Sequence, residues 1–129
     1  MISNRLKLSG MVLLTLLSAC GESAADKSIP AQQWEGMTVQ VETRPTPPET
    51  GMDEILVVLT APSGKPGSNF MVSLRSSDGD QWVQAMEDGG LGVYRRAVVL
   101  EPGERSVVQV QLRRDGKEAV LRFPLKVSK

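Results

Sequence analysis

Few residues in this chain could perform chemistry, because histidine is absent from all 129 positions. Without histidine the chain lacks the usual Ser-His-Asp triad, the commonest general base, and zinc or copper sites built on imidazole. The remaining acid–base candidates are carboxylates in two turns, Asp78, Asp80, Glu87 and Asp88. Acidic residues beside glycine usually hydrogen-bond their own backbone, and EF-hand spacing is absent. The composition therefore predicts no catalytic residue, no cofactor and no enzymatic activity.

Methionine is the other residue type that can bind a metal here, because thioether sulfur is a ligand for Cu(I). The period-two pattern places Met71 on the face opposite Phe70 and Val72, so we expect its side chain to be exposed. Met86 falls in the next predicted strand. Packing in a second apolar face suits the flexible thioether and is the favoured interpretation. A Cu(I) site formed by Met71 and Met86 is the alternative.

The N-terminal segment has the pattern of a secretion signal. Arg5 and Lys7 precede a nearly continuous apolar run over residues 8–17. A run of this length is too short to cross a bilayer, which needs about 20 residues. A basic start followed by a short apolar run is typical of a signal peptide. We therefore predict that residues 1–19 form a removable signal peptide.

Cys20, the only cysteine, follows this segment directly. The sequence Leu17-Ser18-Ala19-Cys20 resembles the lipobox of bacterial lipoproteins. The resemblance implies that the chain is cleaved before Cys20 and that the sulfur of Cys20 carries a lipid. The predicted location is thus the bacterial cell envelope, with the protein lipid-anchored. Because glycine rather than aspartate follows the cysteine, the same resemblance favours the periplasmic face of the outer membrane in a Gram-negative cell.

The chain from Cys20 to Lys129 has 110 residues, enough for one domain. It carries 13 basic and 15 acidic residues and no basic stripe, which argues against a nucleic acid partner. Residues 20–33 are small and polar without an apolar period, typical of a flexible tether with a reach of about 20 Å. The folded domain is predicted over residues 34–129. The expected partners are the membrane, through the lipid, and another envelope protein, with no small-molecule substrate indicated.

Alternation of apolar and polar residues dominates this domain and predicts about seven β-strands. The continuous apolar run Ile55–Leu59 predicts a strand covered on both faces. One short strand is predicted over residues 81–86, between two glycine-containing turns. Strands of this pattern must each bury one face. We therefore predict an all-β fold, an immunoglobulin-like antiparallel β-sandwich, with a small barrel as the alternative.

The two C-terminal strands give the most specific expectations. Asp115-Gly116 predicts a two-residue hairpin turn, because these residues tolerate positive φ. Phe123 lies on the apolar face of the last strand and is predicted to be buried. Pro124 has no N–H to donate, so this strand should be an edge strand or carry a bulge.

Three residues are candidates for a partner surface: Trp34, Arg95 and Arg96. Trp34 lies at the junction of tether and domain, and its side chain is expected either to cover the end of the core or to stay exposed and contact a partner. Adjacent arginines cannot both point outward in a regular strand, so Arg95-Arg96 indicates a bulge or an exposed edge. Such an edge either prevents aggregation or binds an acidic partner. Trp82, by contrast, is predicted to pack in the core.

The order of turn and strand motifs from about residue 36 to 127 resembles the YtkA/FixH-type domain of bacterial envelope proteins. The motifs are Pro47-Pro48-Glu49-Thr50-Gly51 leading into Ile55-Leu56-Val57-Val58-Leu59, then Gly64-Lys65-Pro66-Gly67, Gly92-Val93-Tyr94 and Leu100-Glu101-Pro102-Gly103-Glu104. The resemblance implies a role in copper handling or cytochrome oxidase assembly. Members of that family commonly carry Met and His in the loop between the two middle strands, whereas residues 76–82 contain neither. The sequence therefore favours a non-enzymatic binding or assembly module of the envelope, with a copper-handling accessory protein as the alternative.

Overall fold

The computed structural model describes residues 29–128, without the side chains of residues 104 and 105, and this part of the chain is all β. It forms nine strands, which are β1 (Gln32–Trp34), β2 (Met37–Arg44), β3 (Gly51–Thr60), β4 (Met71–Arg75), β5 (Val83–Gln84), β6 (Met86–Glu87), β7 (Val93–Leu100), β8 (Gly103–Arg114) and β9 (Lys117–Val127). Alternating burial along β2 and β9 follows the alternation in the sequence.

The strands form two antiparallel sheets that pack face to face. The first sheet has the order β1-β2-β3-β7-β6 and the second the order β5-β4-β8-β9. Leaving out β1 and β5, the seven remaining strands follow the order of an immunoglobulin constant-type domain, in which strands A, B, E and D form one sheet and C, F and G the other. The predicted immunoglobulin-like sandwich is therefore confirmed, and the small barrel is not formed.

The core lies between the sheets and is built from the inward positions of both. Phe123 and Tyr94 are its largest fully buried side chains. β3 is the central strand of the first sheet, and it buries Ile55, Leu56 and Val57 in succession. The continuous apolar run there predicts a strand covered on both faces; on the outer face Leu56 is buried, whereas Val58 is only half-buried.

The C-terminal hairpin has the predicted form. Arg114 pairs with Lys117, and the two residues between them have φ angles of 54° and 77°. β9 is the last strand of the second sheet, so Pro124 lies on an edge strand, as its missing N–H requires.

The single strand predicted over residues 81–86 is in fact two. β5 pairs with β4 in the second sheet, whereas β6 pairs with β7 in the first. The chain crosses between the sheets at Ala85, whose small side chain is buried and whose N–H donates to the Val72 carbonyl at 2.8 Å. This crossing could not be inferred from alternation alone.

The prediction that Trp82 packs in the core is wrong. Val83 contacts the core, and its neighbour Trp82 therefore points to the opposite side of the short β5 segment. There it is half-buried, with the Arg75 guanidinium carbon 4.3 Å from the ring centroid.

The folded part begins earlier than the predicted boundary at residue 34. Ile29 is buried in the core, and Gln32 and Gln33 pair with β2. The end of the segment predicted as tether thus belongs to the sandwich. The predicted signal peptide and residues 20–28 lie outside the described residues.

Candidate functional site

A two-sheet sandwich has two lateral edges, and in this protein they differ. At the first, which we call the closed seam, β1 of the first sheet faces β9 of the second. Gln32 Nε2 donates to the Arg122 carbonyl at 2.6 Å, and Lys117 Nζ lies 3.3 Å from Glu35 Oε2. Pro124 also lies on this edge. Side-chain bonding and proline together protect the closed seam against an added strand.

The opposite edge is covered over only part of its length. β6 contributes two pairs, Met86 with Arg95 and Glu87 with Tyr94. The chain before β6 turns away to pair with β4, so no described strand lies beside β7 from Arg96 to Leu100. We call this uncovered edge of β7 the open seam.

The direction of the backbone groups along β7 follows from two hydrogen bonds. The Asp88 N–H donates to the Val93 carbonyl, whereas the Leu59 N–H on the other side donates to the Gly92 carbonyl, both at 2.8 Å. Because successive residues of a strand point their polar groups to opposite sides, the odd-numbered residues of β7 face away from β3. The N–H and C=O groups of Ala97 and Val99 therefore point out of the open seam, where none of residues 29–128 supplies a strand partner.

A narrow slot of about 280 Å³ accompanies this edge. On one side it is lined by β7 at Ala97, Val98 and Val99, and on the other by the loop between β4 and β5. Its full lining is Met52, Arg75, Ser76, Asp80, Gln81, Val83, Ala97, Val98 and Val99. The slot thus lies between the two sheets, with apolar groups along β7 and polar groups along the loop.

Exposed apolar side chains lie at the same place. Met52 and Val99 are direct cross-strand partners on the outer face of the first sheet, and they are 66% and 51% exposed. Ala97, on the same face, is exposed as well. An open strand edge with adjacent apolar surface is the arrangement that edge strands normally avoid, and it marks the open seam as the candidate binding site.

The three residues predicted for a partner surface do not form one surface. Trp34 is half-buried on β1, where its ring packs edge-to-face on Phe70 with centroids 6.2 Å apart. Arg95 lies on the outer face of β7 and pairs with Asp88 Oδ2 at 2.9 Å. Since β2 and β3 separate β1 from β7, Trp34 and the arginines lie at different edges of the sheet.

The Arg95-Arg96 pair predicts either a bulge or an exposed edge, and in the structure these residues lie at an exposed edge without a bulge. The register between β3 and β7 is regular through both residues. Both side chains are exposed, although alternation along β7 puts Arg96 on the inner face of the sheet. Arg96 forms no ion pair with the described residues. The Arg95-Arg96 pair thus indicated the edge that forms the open seam, whereas nothing in the sequence pattern indicated the exposure of Met52 and Val99.

The methionine pair considered for Cu(I) is exposed but divided between the sheets. Met71 is 48% exposed on β4 and Met86 is 72% exposed on β6. β4 belongs to the second sheet and β6 to the first, so these two strands are not paired, although the hydrogen bond from the Ala85 N–H to the Val72 carbonyl joins the residues next to the two methionines. Among residues 29–128 no group of His, Cys, Asp or Glu is arranged to hold a metal ion. Cys20 lies outside the described residues.

The four candidate carboxylates make local structural contacts. Asp78 Oδ1 accepts a hydrogen bond from Gln109 Nε2 at 2.6 Å and lies 3.5 Å from Arg122 Nη1. The Gln109 hydrogen bond, assisted by the Arg122 charge, lowers the pKa of Asp78 below its ordinary value. Asp80 accepts from Ser76, and Asp88 pairs with Arg95. These contacts are made to side chains, whereas the sequence predicts hydrogen bonds to the backbone of the acidic residues' own turns.

Glu87 is the carboxylate with incomplete bonding. Its Oε1 accepts the Asn69 N–H at 3.2 Å, whereas its Oε2 is buried without a hydrogen-bond partner among the described residues. The remaining three carboxylates are not gathered around it, so no paired acid and base is formed.

Comparison of the chain with protein-family models, with curated proteins and with solved structures finds no significant match. The resemblance to YtkA/FixH-type domains therefore stays a prediction from the sequence motifs. Within the described residues, no helix has the length and apolar character that a membrane crossing requires. Fold and site together define an immunoglobulin-like β-sandwich with one closed and one open seam.

Proposed function

We propose that this protein is a non-enzymatic binding or assembly module of the bacterial cell envelope, held at the membrane by a lipid on Cys20 and acting on another envelope protein. The observation that supports binding most directly is the open seam. It combines unpaired backbone groups at Ala97 and Val99 with the exposed side chains of Met52 and Val99. Exposed apolar surface of this kind is typical of protein interaction sites.

The groups at the open seam support a protein ligand rather than a reaction at this edge. The candidate carboxylates are dispersed in structural contacts, and the open seam contains backbone and apolar groups instead of an acid–base pair. The slot beside the seam has a volume of about 280 Å³, below the range of about 300–1,000 Å³ that is typical of pockets enclosing a small molecule. Lipid anchoring would confine this interaction to the membrane surface.

Site-specific photocrosslinking in living cells tests the proposal. A photoreactive amino acid is placed at Val99 of the full-length precursor, and in a control at Val120, a 47% exposed valine on the outer face of β9. We expect the Val99 position to give a discrete adduct with another envelope protein, identified by mass spectrometry and reproduced with the purified partner. The Val120 position should give none. Absence of a protein adduct at Val99, or the same adduct at both positions, would contradict the proposal.

Copper handling, the role implied by the family resemblance, is a second candidate. The observation in its favour is that Met52, Met71 and Met86 all expose their thioethers. The absence of histidine from the chain weighs against a copper site. Direct Cu(I) competition, described below, separates this candidate from the binding module.

A further inference from the structure

We infer that the partner supplies an extended peptide segment that adds as a strand to β7 along residues 96–100, antiparallel to it, with apolar side chains and a carboxylate near its C-terminal end. This inference rests on the proposed binding function and specifies its mode and its ligand. The structure provides three supports for it: the direction of the backbone groups, the shape of the slot and the distribution of charge.

The backbone groups of the open seam require a strand as their ligand. Ala97 and Val99 each direct one N–H and one C=O away from β3, spaced as in an antiparallel ladder. A side chain can satisfy one such group, whereas an extended chain satisfies all four. In strand addition these main-chain bonds supply affinity and neighbouring pockets select alternate side chains. The direction is antiparallel because every strand pair within the two sheets is antiparallel and this pairing is the more stable of the two.

The slot limits the occupant to a single chain segment. The β4–β5 loop, at Ser76, Asp80 and Gln81, lies on the far side of the slot from β7. If two copies of the protein paired through this edge, both β4–β5 loops would have to occupy the space beside residues 97–99. A lone extended segment meets one loop only. We therefore infer a peptide segment as the occupant in preference to a second copy.

The side chains around the edge determine the chemistry of the segment. Positions facing outward would lie beside Met52 and Val99, and positions facing inward beside Val83 and Val98, so both should be apolar. Arg96 marks the end of the free edge next to β6, and no carboxylate of the described residues pairs with it. In an antiparallel segment the residue opposite Arg96 is near the C-terminus. An aspartate or glutamate there would pair with the guanidinium.

The test uses proline substitution, which removes the backbone N–H and also fixes φ near about −65°. Val99→Pro deletes a donor that points out of the open seam, where proline is tolerated because no bond within the protein is lost. Val120→Pro is its matched control. Val120 is also a half-exposed valine, and it is four residues from Pro124 on an edge strand, so its N–H likewise points away from its own sheet. Val99→Thr keeps the N–H and nearly the same volume.

The probe is a peptide selected from a displayed library of random nine-residue peptides against the lipidated chain in nanodiscs. We expect the selected peptides to share an apolar stretch followed by an acidic residue. Their dissociation constant, measured by fluorescence anisotropy, should rise at least tenfold in Val99→Pro. It should change less than threefold in Val120→Pro and Val99→Thr. Ala97→Pro, whose N–H also points outward, should reproduce the loss and serves in place of Val99→Pro if circular dichroism shows that variant to be unfolded.

Three outcomes overturn the inference: no peptide is selected, the selected peptides bind Val99→Pro and Ala97→Pro as tightly as the wild type, or sedimentation shows a dimer that Val99→Pro dissociates. The last would make a second copy the occupant. If the photocrosslinked partner binds the proline variants normally, strand addition fails while the binding function stands. If no partner is crosslinked at Val99, the proposed function itself fails, whatever the peptides do.

Discussion

The phenol of Tyr94 makes two hydrogen bonds inside the sandwich. It donates to the Gly67 carbonyl at 2.9 Å and accepts the Phe70 N–H at 3.1 Å. Tyr94→Phe keeps the ring but leaves both backbone groups without this partner. We expect the free energy of unfolding, measured by urea denaturation, to fall by about 1–3 kcal/mol. A change within about 0.5 kcal/mol, the range of an ordinary surface substitution, would show that another group or water replaces the hydroxyl.

The same side chain makes stability depend on alkaline pH. Burial raises the pKa of Tyr94 above its ordinary value of 10.0. Above that pH the unfolded chain ionises this phenol before the folded chain does, so stability should decrease as pH rises from the ordinary pKa toward the raised one. Tyr94 is the only tyrosine, so ultraviolet absorbance of tyrosinate reports its titration directly. A midpoint at or below the ordinary value would contradict the burial. Tyr94→Phe should lose this component of the alkaline destabilisation.

Thioether exposure leads to a prediction about Cu(I). Because the chain has no histidine and only scattered methionines, we expect no stoichiometric Cu(I) binding in anaerobic competition with a chromogenic chelator. Met71→Leu and Met86→Leu are the controls, because leucine keeps the volume without the sulfur. One equivalent bound by the wild type and lost in both variants would favour the copper-handling candidate over the binding module.

At the scale of single elements, the turn that leads into β7 depends on Gly92. Its φ is 77°, and a Cβ at this position would lie 2.7 Å from the Leu59 carbonyl oxygen and 2.9 Å from the Gly67 nitrogen. Backbone atoms cannot move aside as a flexible side chain can. Gly92→Ala should therefore lower the free energy of unfolding by more than about 1 kcal/mol, the cost of alanine at an incompatible φ.

Gly90 provides the matched control for this substitution, because its φ is also 77°. A Cβ there meets no atom within 4 Å, so Gly90→Ala should carry only the cost of the positive φ and should destabilise the fold less than Gly92→Ala. Equal destabilisation by both substitutions in denaturant titrations would show that the close approach around Gly92 is not what restricts the residue.

Elements whose form depends on neighbours in sequence were predictable. The Asp115-Gly116 turn needs only local φ preferences, and the alternation around Phe123 places that ring in the core wherever the strand lies. The Pro124 prediction succeeded because a missing N–H has the same consequence in any sheet. The prediction that Trp82 packs in the core was wrong because the direction of this side chain does not depend on the local sequence alone. Its direction depends on a two-residue strand and on the crossing at Ala85, which are set by the packing of the two sheets against each other.

The candidate site was predictable only in part, for the same reason. Arg95-Arg96 indicated an exposed edge, since the local pattern conflicts with a covered strand. The extent of that edge depends on where β6 ends, and β6 ends because the preceding chain pairs with β4. The chain around residue 85 thus changes its pairing from one sheet to the other, and the strands with which it pairs are distant from each other in sequence. Met52, which forms much of the exposed surface, is brought beside Val99 by the register between β3 and β7.

At the scale of the whole molecule, the described chain enters the sandwich at one edge of the first sheet, and the open seam lies at the other. The chain enters the sandwich through Ile29 and β1, on the closed seam, and β7 is the third strand beyond β1. Strands lie about 4.8 Å apart, so roughly 14 Å separate the entry strand from the open edge. A lipid on Cys20 and a peptide on β7 would thus not compete for one edge, and the protein could bind a partner while attached to the membrane.

That arrangement has a role only if Cys20 is lipidated, and substitution of Cys20 tests this. The lipobox resemblance implies that acylation of the Cys20 sulfur precedes cleavage, so Cys20→Ala in the full precursor should abolish both. We expect cells expressing the wild type to incorporate a clickable palmitate analogue into the protein and to show the mass of a chain beginning at residue 20. The variant should carry no label and keep residues 1–19. Ser23→Ala, which alters a nearby small polar residue outside the lipobox, should behave as the wild type. Equal label on wild type and Cys20→Ala would show that the label is not attached to the Cys20 sulfur, and it would contradict the lipid anchor on which the proposed envelope role depends.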